Sequence, residues 1–528
     1  MNGTSAGSRA SGKQEQFVSH MAPRRVAAKY PMGAQEVRAV AMLASFLLVH
    51  ALVWTVAAWL SRGNLDMSGD MVENYVWGIE WQAGYAKHPP LFAWVTAAWF
   101  RIFPHTDLAY FALSAFNAMI GLFGISALAT RFLPRRLALL AGCAMAVSPL
   151  YSTLAVKFNA NAILLSVWPW TAYCFVRFMQ GGGLRCAFAL GALAGAALLG
   201  KYFSVVLLAA LLLAGIVRPD WRVRLYSWRV LAVVLAGVVV LAPHAHWLWV
   251  NHFPTFGYAR TRTGGTLAAA VSRLGIYALA QVAYLGLSFV FVVLLVRERR
   301  RQAMALMIAS LTRSSTCPDL WWLVSGPMMV VAAIAVLSRT EMASVWGMAQ
   351  WFAIVPLWLT ALDRVGIAVS PGRAVAVFAG YWLIVLAAST AVGYSGALGN
   401  TDDATEPRAE LAATIDARWR AHTGKPVPVI SGSVGEAQSV AFYSNGHARY
   451  WDMRDGAATP WLVPADLKRE GAVFVCPNGD TACLADSAAF AGVEPIPVVI
   501  RRHAWGRDLH ARTYWLFMVW PGQRPGKG

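Results

Sequence analysis

The sequence predicts a polytopic α-helical membrane protein that ends in a small α/β domain, and three observations carry this prediction. The chain of 528 residues is 58% hydrophobic and only 13% charged, a composition that few soluble proteins share. Long apolar runs recur, among them 39–60, 230–249 and 374–392, and each is long enough to cross a bilayer as a helix. From residue 396 onward the composition becomes polar and rich in turns.

The formal charge of +19 does not indicate nucleic-acid binding, because the basic residues are clustered in short turns between apolar segments. Three such turns hold Arg131, Arg135 and Arg136, then Arg218, Arg222, Arg224 and Arg229, then Arg297, Arg299, Arg300 and Arg301. This distribution follows the positive-inside rule, so it indicates the orientation of the chain in a membrane. The turns are therefore predicted to be cytoplasmic.

The order of the elements follows from that orientation. Residues 1–38 are predicted to be a disordered cytoplasmic segment, and the first apolar run is too long for a signal peptide. Residues 39–395 are predicted to form a bundle of about eleven transmembrane helices. The expected spans are 39–60, 107–130, 136–153, 161–179, two short spans within 186–217 that meet at Lys201 and Tyr202, then 229–249, 274–297, 320–337, 347–362 and 373–394, with an interfacial helix at 91–103.

An odd number of spans places residues 396–528 in the periplasm, where about 130 residues suffice for a small α/β domain. Four β-prone runs lie at 426–430, 472–476, 495–500 and 513–520. Cys476 and Cys483 could close a disulfide-bonded turn, and this is favoured over a zinc site because no second CxxC or HxxxH motif is present.

The first outer loop, 61–106, contains the stretch DMVENYVWGIEWQAGYAKHPP. Asp70 and Glu73 lie one helical turn apart and are the candidate catalytic residues, although such a pair can also be a solvated surface feature. Desolvation by nearby rings would raise the pKa of a carboxylate and make it a better base for an acceptor hydroxyl. The aromatic residues that could flank a sugar or fix the loop are Tyr75, Trp77, Trp81 and Tyr85.

Five cations are candidates for binding a phosphate, each with a plainer alternative. Lys87 and His88 precede a rigid Pro-Pro bend that is also a structural elbow. Lys201 lies within an apolar run, where it either extends to the interface or binds an anionic headgroup. Arg260 and Arg262 lie in an outer loop and either bind phosphate oxygens or are ordinary surface residues. The sequence contains no P-loop, no GxGxxG motif after a strand, no HExxH motif and no GxSxG motif in a suitable context. ATP-driven transport and dinucleotide chemistry are therefore not indicated.

The loop resembles the bacterial GT-C fold membrane glycosyltransferases that include lipopolysaccharide galacturonosyltransferases, the aminoarabinose transferase of lipid A and protein O-mannosyltransferases. Those families carry an acidic motif, a Trp, a Gly-Tyr pair and Lys-Pro-Pro-Leu in this loop. The matching positions are Asp70, Trp77, Gly84, Tyr85, Lys87, Pro89, Pro90 and Leu91, with His88 inserted. Weaker matches at 148–151, 200–202 and 249–254 extend the resemblance over about 40–300.

Two positions depart from the family pattern. Met71 stands where a second acid is common, so Glu73 would be a displaced substitute, and Asn161 stands where relatives often have an Asp. The loss of a carboxylate weakens a divalent-cation site, so no metal and no other cofactor are expected, and Asp70 becomes the first choice for the base.

The resemblance implies transfer of a sugar from a polyprenyl-phosphate donor to an envelope lipid, glycan or protein at the periplasmic face of the inner membrane, with inversion. The other hypotheses are a transporter or flippase for lipid-linked sugars, which would have inverted repeats, and a non-catalytic envelope assembly or sensor protein.

Overall fold

The computed structural model describes residues 34–66, 69–261, 263–315 and 317–522. The chain divides into two compact units, Met1–Phe46 and Leu47–Gly528. The described part of the first unit is the beginning of a single apolar helix. Most of the segment 1–38, for which disorder is predicted, lies outside the described residues.

The described residues up to 398 are mostly helical. The helices are α1 (Ala34–Ser61), α2 (Asp70–Gly78), α3 (Leu91–Phe100), α4 (Asp107–Ala129), α5 (Arg135–Ala146), α6 (Ile163–Met179), α7 (Leu184–Gly200), α8 (Val205–Val217), α9 (Pro219–Leu225), α10 (Arg229–Val250), α11 (Pro254–Arg260), α12 (Leu267–Leu295), α13 (Arg300–Thr312), α14 (Pro318–Ser338), α15 (Ile354–Arg364) and α16 (Pro371–Leu398). Short 3-10 turns at Pro149–Tyr151, Tyr202–Ser204 and Ser344–Gly347 interrupt this pattern.

Six described helices are long and apolar enough to cross a membrane, so the chain is a multi-pass membrane protein. They are α1, α4, α10, α12, α14 and α16, and a seventh span results if the pair of helices around Arg218, bent by 111°, is counted as one. Three more apolar helices, α3, α6 and α7, are shorter. The total of eleven spans therefore stays a prediction, whereas the predicted interruption at Lys201 is present between α7 and α8.

Two predicted spans have the wrong limits. The span predicted at 136–153 stops as a helix at Ala146, because Ser148 accepts a hydrogen bond from the amide of Leu150 and starts a 3-10 turn with proline. The span predicted from 347 begins as a helix only at Ile354. Side chains of α12 hold the preceding turn instead: Gln281 donates to the carbonyl of Ser344 at 2.8 Å.

The first outer loop is folded rather than irregular. α2 and α3 pack closely, since a Cβ atom on Gly78 would lie 2.2 Å from the carbonyl oxygen of Ala93. The Tyr110 hydroxyl on α4 donates to the carbonyl of Met71 at 2.6 Å, and the Asn74 side chain donates to the carbonyl of Phe158 at 2.7 Å. α2 is thereby fixed between α4 and the loop that follows α5.

The C-terminal part contains both helices and strands. Its helices are α17 (Asp402–Thr405), α18 (Arg408–Thr423), α19 (Val434–Tyr443), α20 (Pro464–Glu470) and α21 (Thr481–Ala491), and a 3-10 turn lies at Gly456–Ala458. Its strands are β1 (Val429–Gly432), β2 (Arg449–Tyr450), β3 (Ala472–Pro477), β4 (Ile496–Ile500), β5 (His503–Ala504), β6 (Arg507–Asp508) and β7 (Arg512–Val519).

Five of the strands form one mixed sheet in the order β2-β1-β3-β7-β4, and β5 pairs with β6. β1 is parallel to β2 and β3, whereas β7 is antiparallel to β3 and β4. All four β-prone runs seen in the sequence contribute a strand to this sheet. Cys476 at the end of β3 and Cys483 on α21 are joined by a disulfide, which secures this helix to the sheet.

The C-terminal part contacts the first outer loop directly. The Arg449 guanidinium on β2 makes a bidentate ion pair with the Glu80 carboxylate, with both N–O distances 2.8 Å. The Tyr443 hydroxyl donates to the Asp107 carboxylate, and the ring of Phe442 packs edge-on against that of Tyr75 at 5.1 Å. The loop is therefore enclosed between the helical part and the sheet.

Candidate active site

A cluster of two carboxylates and one ammonium lies at the beginning of α2. The Lys157 ammonium contacts Asp66 Oδ2 at 2.9 Å and Asp70 Oδ2 at 2.8 Å. Asn159 Nδ2 also donates to Asp70 Oδ2, at 3.1 Å. We call Asp66, Asp70, Lys157 and Asn159 the carboxylate–lysine cluster. It joins residues that are separated by about ninety positions in the sequence, as the separation of Asp70 and Asn159 illustrates.

The two acids of the cluster have different surroundings. The Asp66 side chain is 4% exposed, and its two oxygens accept the backbone amides of Asp70 and Met71, both at 2.9 Å. Asp66 thus stabilises the N-terminus of α2, where free amides and the helix dipole favour a negative charge. Gly69 just before the helix has φ +78°, which a residue with a Cβ atom rarely adopts. Asp66 is therefore a buried anchor.

Asp70 is accessible, since its side chain is 42% exposed. Lys157 and Asn159 occupy Oδ2, whereas Oδ1 accepts no hydrogen bond from the residues that the structure describes. The carboxylate is thus held by one oxygen, and its side chain is partly exposed. This geometry suits a group that must receive a proton from a bound hydroxyl.

A chain of hydrogen bonds connects the cluster to Lys201. Asn159 Oδ1 accepts the backbone amide of Asn161 at 2.9 Å, and Asn161 Oδ1 accepts from the Lys201 ammonium at 2.5 Å. The same ammonium lies 5.2 Å from the ring centroid of Trp346, within cation–π range. The structure thus brings Asp70 and Lys201, both predicted as site residues, into one polar network at the break between α7 and α8.

The charges of the cluster stabilise one another. Burial lowers the pKa of Lys157, but the Asp66 and Asp70 carboxylates outweigh this effect and hold that pKa above its usual value. The lysine therefore stays protonated over the whole physiological range, and its ammonium keeps its positive charge.

Glu73, the second predicted catalytic acid, forms a separate ion pair with Lys87. The distance between Lys87 Nζ and Glu73 Oε1 is 2.6 Å, and the ammonium also lies 5.7 Å from the Trp77 ring centroid. Burial raises the pKa of Glu73, and the Lys87 ammonium opposes this only in part. Lys87, one of the predicted phosphate ligands, is 46% exposed and remains accessible from outside.

The predicted aromatic residues divide into buried and exposed members. Tyr75, Trp77 and Tyr85 are at most 3% exposed. Tyr85 stacks on Trp77 and donates its hydroxyl to the Trp77 carbonyl at 2.7 Å. These three rings form the core of the loop, while Trp81 is 41% exposed with the Arg101 guanidinium over its ring at 4.7 Å. Of the four, Trp81 alone is exposed.

The remaining predicted cations are less closely tied to the cluster. The His88 ring lies edge-on between those of Phe92 and Tyr258, at 5.9 and 5.7 Å. Arg260 is exposed at the end of α11, and its guanidinium makes no hydrogen bond or ion pair with a described residue. Arg262 lies outside the described residues. Of the five cations, Lys201 and Lys87 therefore have the best-defined surroundings.

A second polar contact fixes the loop to α10. His244 Nδ1 lies 2.7 Å from the carbonyl of Ala83, and its Nε2 lies 2.5 Å from the Tyr202 hydroxyl. Next to it, a Cβ atom on Gly84 would lie 2.3 Å from the Trp247 ring, so only glycine fits there. The part of the loop that holds the Gly-Tyr motif is thus packed directly on α10.

A cavity of 620 Å³ lies elsewhere, between the ends of α1 and α16 and the hairpin of β5 and β6. Its lining includes Arg62 and Arg502 but none of the predicted site residues.

Three residues of the network were missed in the sequence. Asp66 precedes Asp70 by one helical turn, a spacing that could have marked it as the second acid. Lys157 and Asn159 lie in a short polar stretch between apolar segments, and a lysine there was a usable signal. Asn161, noted as a departure from the family pattern, proves to be the partner of Lys201.

Comparison with known proteins places this geometry in context. The family model described as dolichyl-phosphate-mannose-protein mannosyltransferase matches residues 87–247. A lipopolysaccharide core galacturonosyltransferase of Rhizobium johnstonii, RgtB, is 27% identical over 208 residues, which are 36% of this chain and 39% of the relative. A second one, RgtA, is 30% identical over 107 residues, or 20% of each chain. The matches thus span well under half of these relatives.

Among solved structures, ArnT from Cupriavidus metallidurans bound to undecaprenyl phosphate has a TM-score of 0.53 at 16% identity. The alignment covers 90% of this chain and 97% of that one. Its apo form has the same score at 17% identity and covers 91% and 99%. The fold is thus similar to that of ArnT over nearly the whole chain. Together with the family model and the two galacturonosyltransferases, this confirms the resemblance to GT-C fold membrane glycosyltransferases.

Proposed function

We propose that this multi-pass protein is a membrane glycosyltransferase that moves a sugar from a polyprenyl-phosphate donor to an acceptor in the cell envelope. One observation carries the proposal: a half-exposed carboxylate, Asp70, is held by one oxygen in a polar network that reaches Lys201 at a helix break. The ArnT-like fold and the galacturonosyltransferase relatives support the same reaction class.

The proposed reaction is a single displacement. Asp70 Oδ1 takes the proton of an acceptor hydroxyl, whose oxygen attacks the anomeric carbon of the donor sugar. The bond between that carbon and the phosphate oxygen breaks, and its electron pair leaves with the polyprenyl phosphate. Attack opposite the leaving group inverts the anomeric centre, through a transition state with oxocarbenium character.

Cations have a defined task in this step, because the departing phosphate gains one negative charge as the bond breaks. Lys201 and Lys87 are the proposed ligands of that phosphate, and Arg260 and Arg262 are outer candidates. Fixed positive charge in a site with little water stabilises the developing charge far more than it does in bulk water. A polyprenyl tail would meanwhile lie along the apolar faces of the spans, which is consistent with the many exposed apolar side chains of α10, α12 and α16.

The proposed location is the inner membrane, with about eleven spans, the N-terminus in the cytoplasm and residues 396–528 in the periplasm. The sheet would then cover the first loop from the outside, which agrees with the ion pair between Glu80 and Arg449. The acceptor would approach from that side. Lipid A or the lipopolysaccharide core is a fitting acceptor, since the relatives named above act on the lipopolysaccharide core.

The test begins with mass spectrometry of envelope lipids and glycans from a strain that lacks the protein. The hexose, uronic acid or aminosugar lost there identifies the product, and each variant is then assayed by restoration of that product. Asp70→Asn keeps the shape of the side chain and is expected to lower transfer by about a hundredfold or more. The matched control is Asp363→Asn, an exposed acid at the end of α15, which is expected to restore transfer fully.

Wild-type transfer by the Asp70→Asn variant would refute the role of Asp70 as base. A protein that moves a lipid-linked sugar across proteoliposome membranes without forming any transfer product would be a flippase instead. A strain whose envelope glycans and lipids are all unchanged would favour an assembly or sensor role.

A further inference from the structure

The ammonium of Lys157 occupies the position that a bridging metal ion would need. Asp66 Oδ2 and Asp70 Oδ2 both lie within 2.9 Å of its nitrogen atom. A divalent cation bridging the same two oxygens would lie about 2.0–2.6 Å from each. That position overlaps the ammonium, so the lysine and a bridging ion exclude each other.

The backbone around Lys157 is held so that the lysine stays in place. The carbonyl of Phe158 accepts from Asn74 on α2, and Asn159 Oδ1 accepts the amides of Asn161 and Ala162. The Lys157 side chain is 26% exposed and that of Asp66 only 4%. A cation that is covalently part of the chain, next to residues held by hydrogen bonds, needs no binding from solution.

The two carboxylates require a cation of some kind. Their Oδ2 atoms approach one point, and two negative charges this close repel each other strongly unless a positive charge lies between them. The Lys157 ammonium supplies that positive charge through its contacts with both Oδ2 atoms.

We propose that Lys157 is a built-in substitute for a divalent cation, so that the carboxylate pair works without a metal. Asp66 is then a positioning residue that fixes Lys157 and, through it, Asp70. The consequence for catalysis rests on the proposed function, but the exclusion of metal by the lysine does not.

The decisive measurement uses Mn²⁺ as the probe and needs no sugar substrate. Purified full-length wild type, Lys157→Ala and Lys157→Arg are titrated with Mn²⁺ and followed by electron paramagnetic resonance. Lys157→Ala opens the space between the carboxylates and is expected to gain one Mn²⁺ with an affinity higher than that of the wild type by about tenfold or more. Lys157→Arg retains the charge and is expected to behave as the wild type, and adding Asp66→Asn to Lys157→Ala is expected to remove the gained site.

Two outcomes would overturn the proposal. In the first, the wild type binds Mn²⁺ as tightly as Lys157→Ala does, and Asp66→Asn abolishes this binding. In the second, the Lys157→Ala protein folds but does not gain a Mn²⁺ site. If Lys157→Ala does not fold, the comparison of the wild type with Asp66→Asn decides alone. Equal Mn²⁺ binding by these two proteins supports the proposal, whereas a Mn²⁺ site that is lost in Asp66→Asn refutes it.

An activity arm separates this inference from the proposed function. Sugar transfer by the wild type is expected to persist in excess EDTA. Transfer that EDTA abolishes and Mn²⁺ restores would refute the role of Lys157 and leave the transferase proposal standing. If no transfer product forms but Lys157→Ala gains the Mn²⁺ site, the transferase proposal is refuted. The proposal that Lys157 replaces a divalent cation then still holds.

Discussion

The ion pair between Glu80 and Arg449 allows a quantitative test of how the C-terminal part holds the first loop. The Glu80 side chain is 9% exposed and the Arg449 side chain 39%. Removing one partner of a fully buried pair costs about 3–5 kcal/mol, whereas an exposed pair contributes about 1 kcal/mol or less. For this half-exposed bidentate pair we expect Arg449→Met to weaken the attachment of the loop by about 2 kcal/mol.

Hydrogen–deuterium exchange measures this effect locally. Amides of the loop that are bonded within it, such as that of Tyr85 to the carbonyl of His88 at 3.1 Å, exchange when the loop opens. A loss of about 2 kcal/mol accelerates their exchange by about thirtyfold. Exchange of amides in α14, far from the pair, serves as the internal control and is expected not to change.

A double-mutant cycle identifies the cause. Glu80→Gln alone is expected to accelerate exchange to a similar extent, and the combination with Arg449→Met is expected to add little, because the interaction is already lost. Additive effects of the two substitutions, or loop exchange at the wild-type rate in Arg449→Met, would show that the pair does not attach the loop.

Two further predictions concern packing and pH. Gly84→Ala is expected to lower stability by about 1–3 kcal/mol through its clash with Trp247, which is measured as a lower Tm. Gly257→Ala, with open space around the glycine, is the control and is expected to leave Tm unchanged. Equal Tm values for the two variants would contradict the close contact between Gly84 and Trp247. Burial, aided by the neighbouring His447, lowers the pKa of His105 to about 4, below the ordinary value near 6.5. Because His105 resists protonation in the folded state, stability is expected to fall as pH decreases from about 6.5 to about 4. His105→Gln is expected to flatten this part of the profile of Tm against pH. An unchanged profile would show that His105 does not cause the loss of stability.

The motif of the first loop combines residues with different physical tasks. Tyr85 and Trp77 form its core, Gly84 permits the contact with Trp247, and Lys87 pairs with Glu73. Only Asp70 among the motif residues combines accessibility with a place in the polar network. The spacing of such a motif is therefore set as much by the folding of the loop as by chemistry.

The sequence alone determined the class of the protein, the position of several long apolar helices and that of four strands of the sheet. Apolar runs of bilayer length, basic turns and a polar C-terminal part are local properties of the chain, and hydropathy and β-propensity report them directly. The family motif likewise identified the loop around Asp70, and the break at Lys201 followed from a charged residue within an apolar run. These predictions depend on neighbouring residues only.

The tertiary structure decided which side chains meet. Asp66, Asp70 and Lys157 come together because α2 packs against α4 and against the loop after α5, through Tyr110 and Asn74. The sequence gives no measure of that packing, so it could not show that Lys157 pairs with Asp66 or that Lys87 pairs with Glu73. The partner of a charge is set by three-dimensional proximity, because electrostatic interactions and hydrogen bonds act over a few ångströms of space and not along the chain.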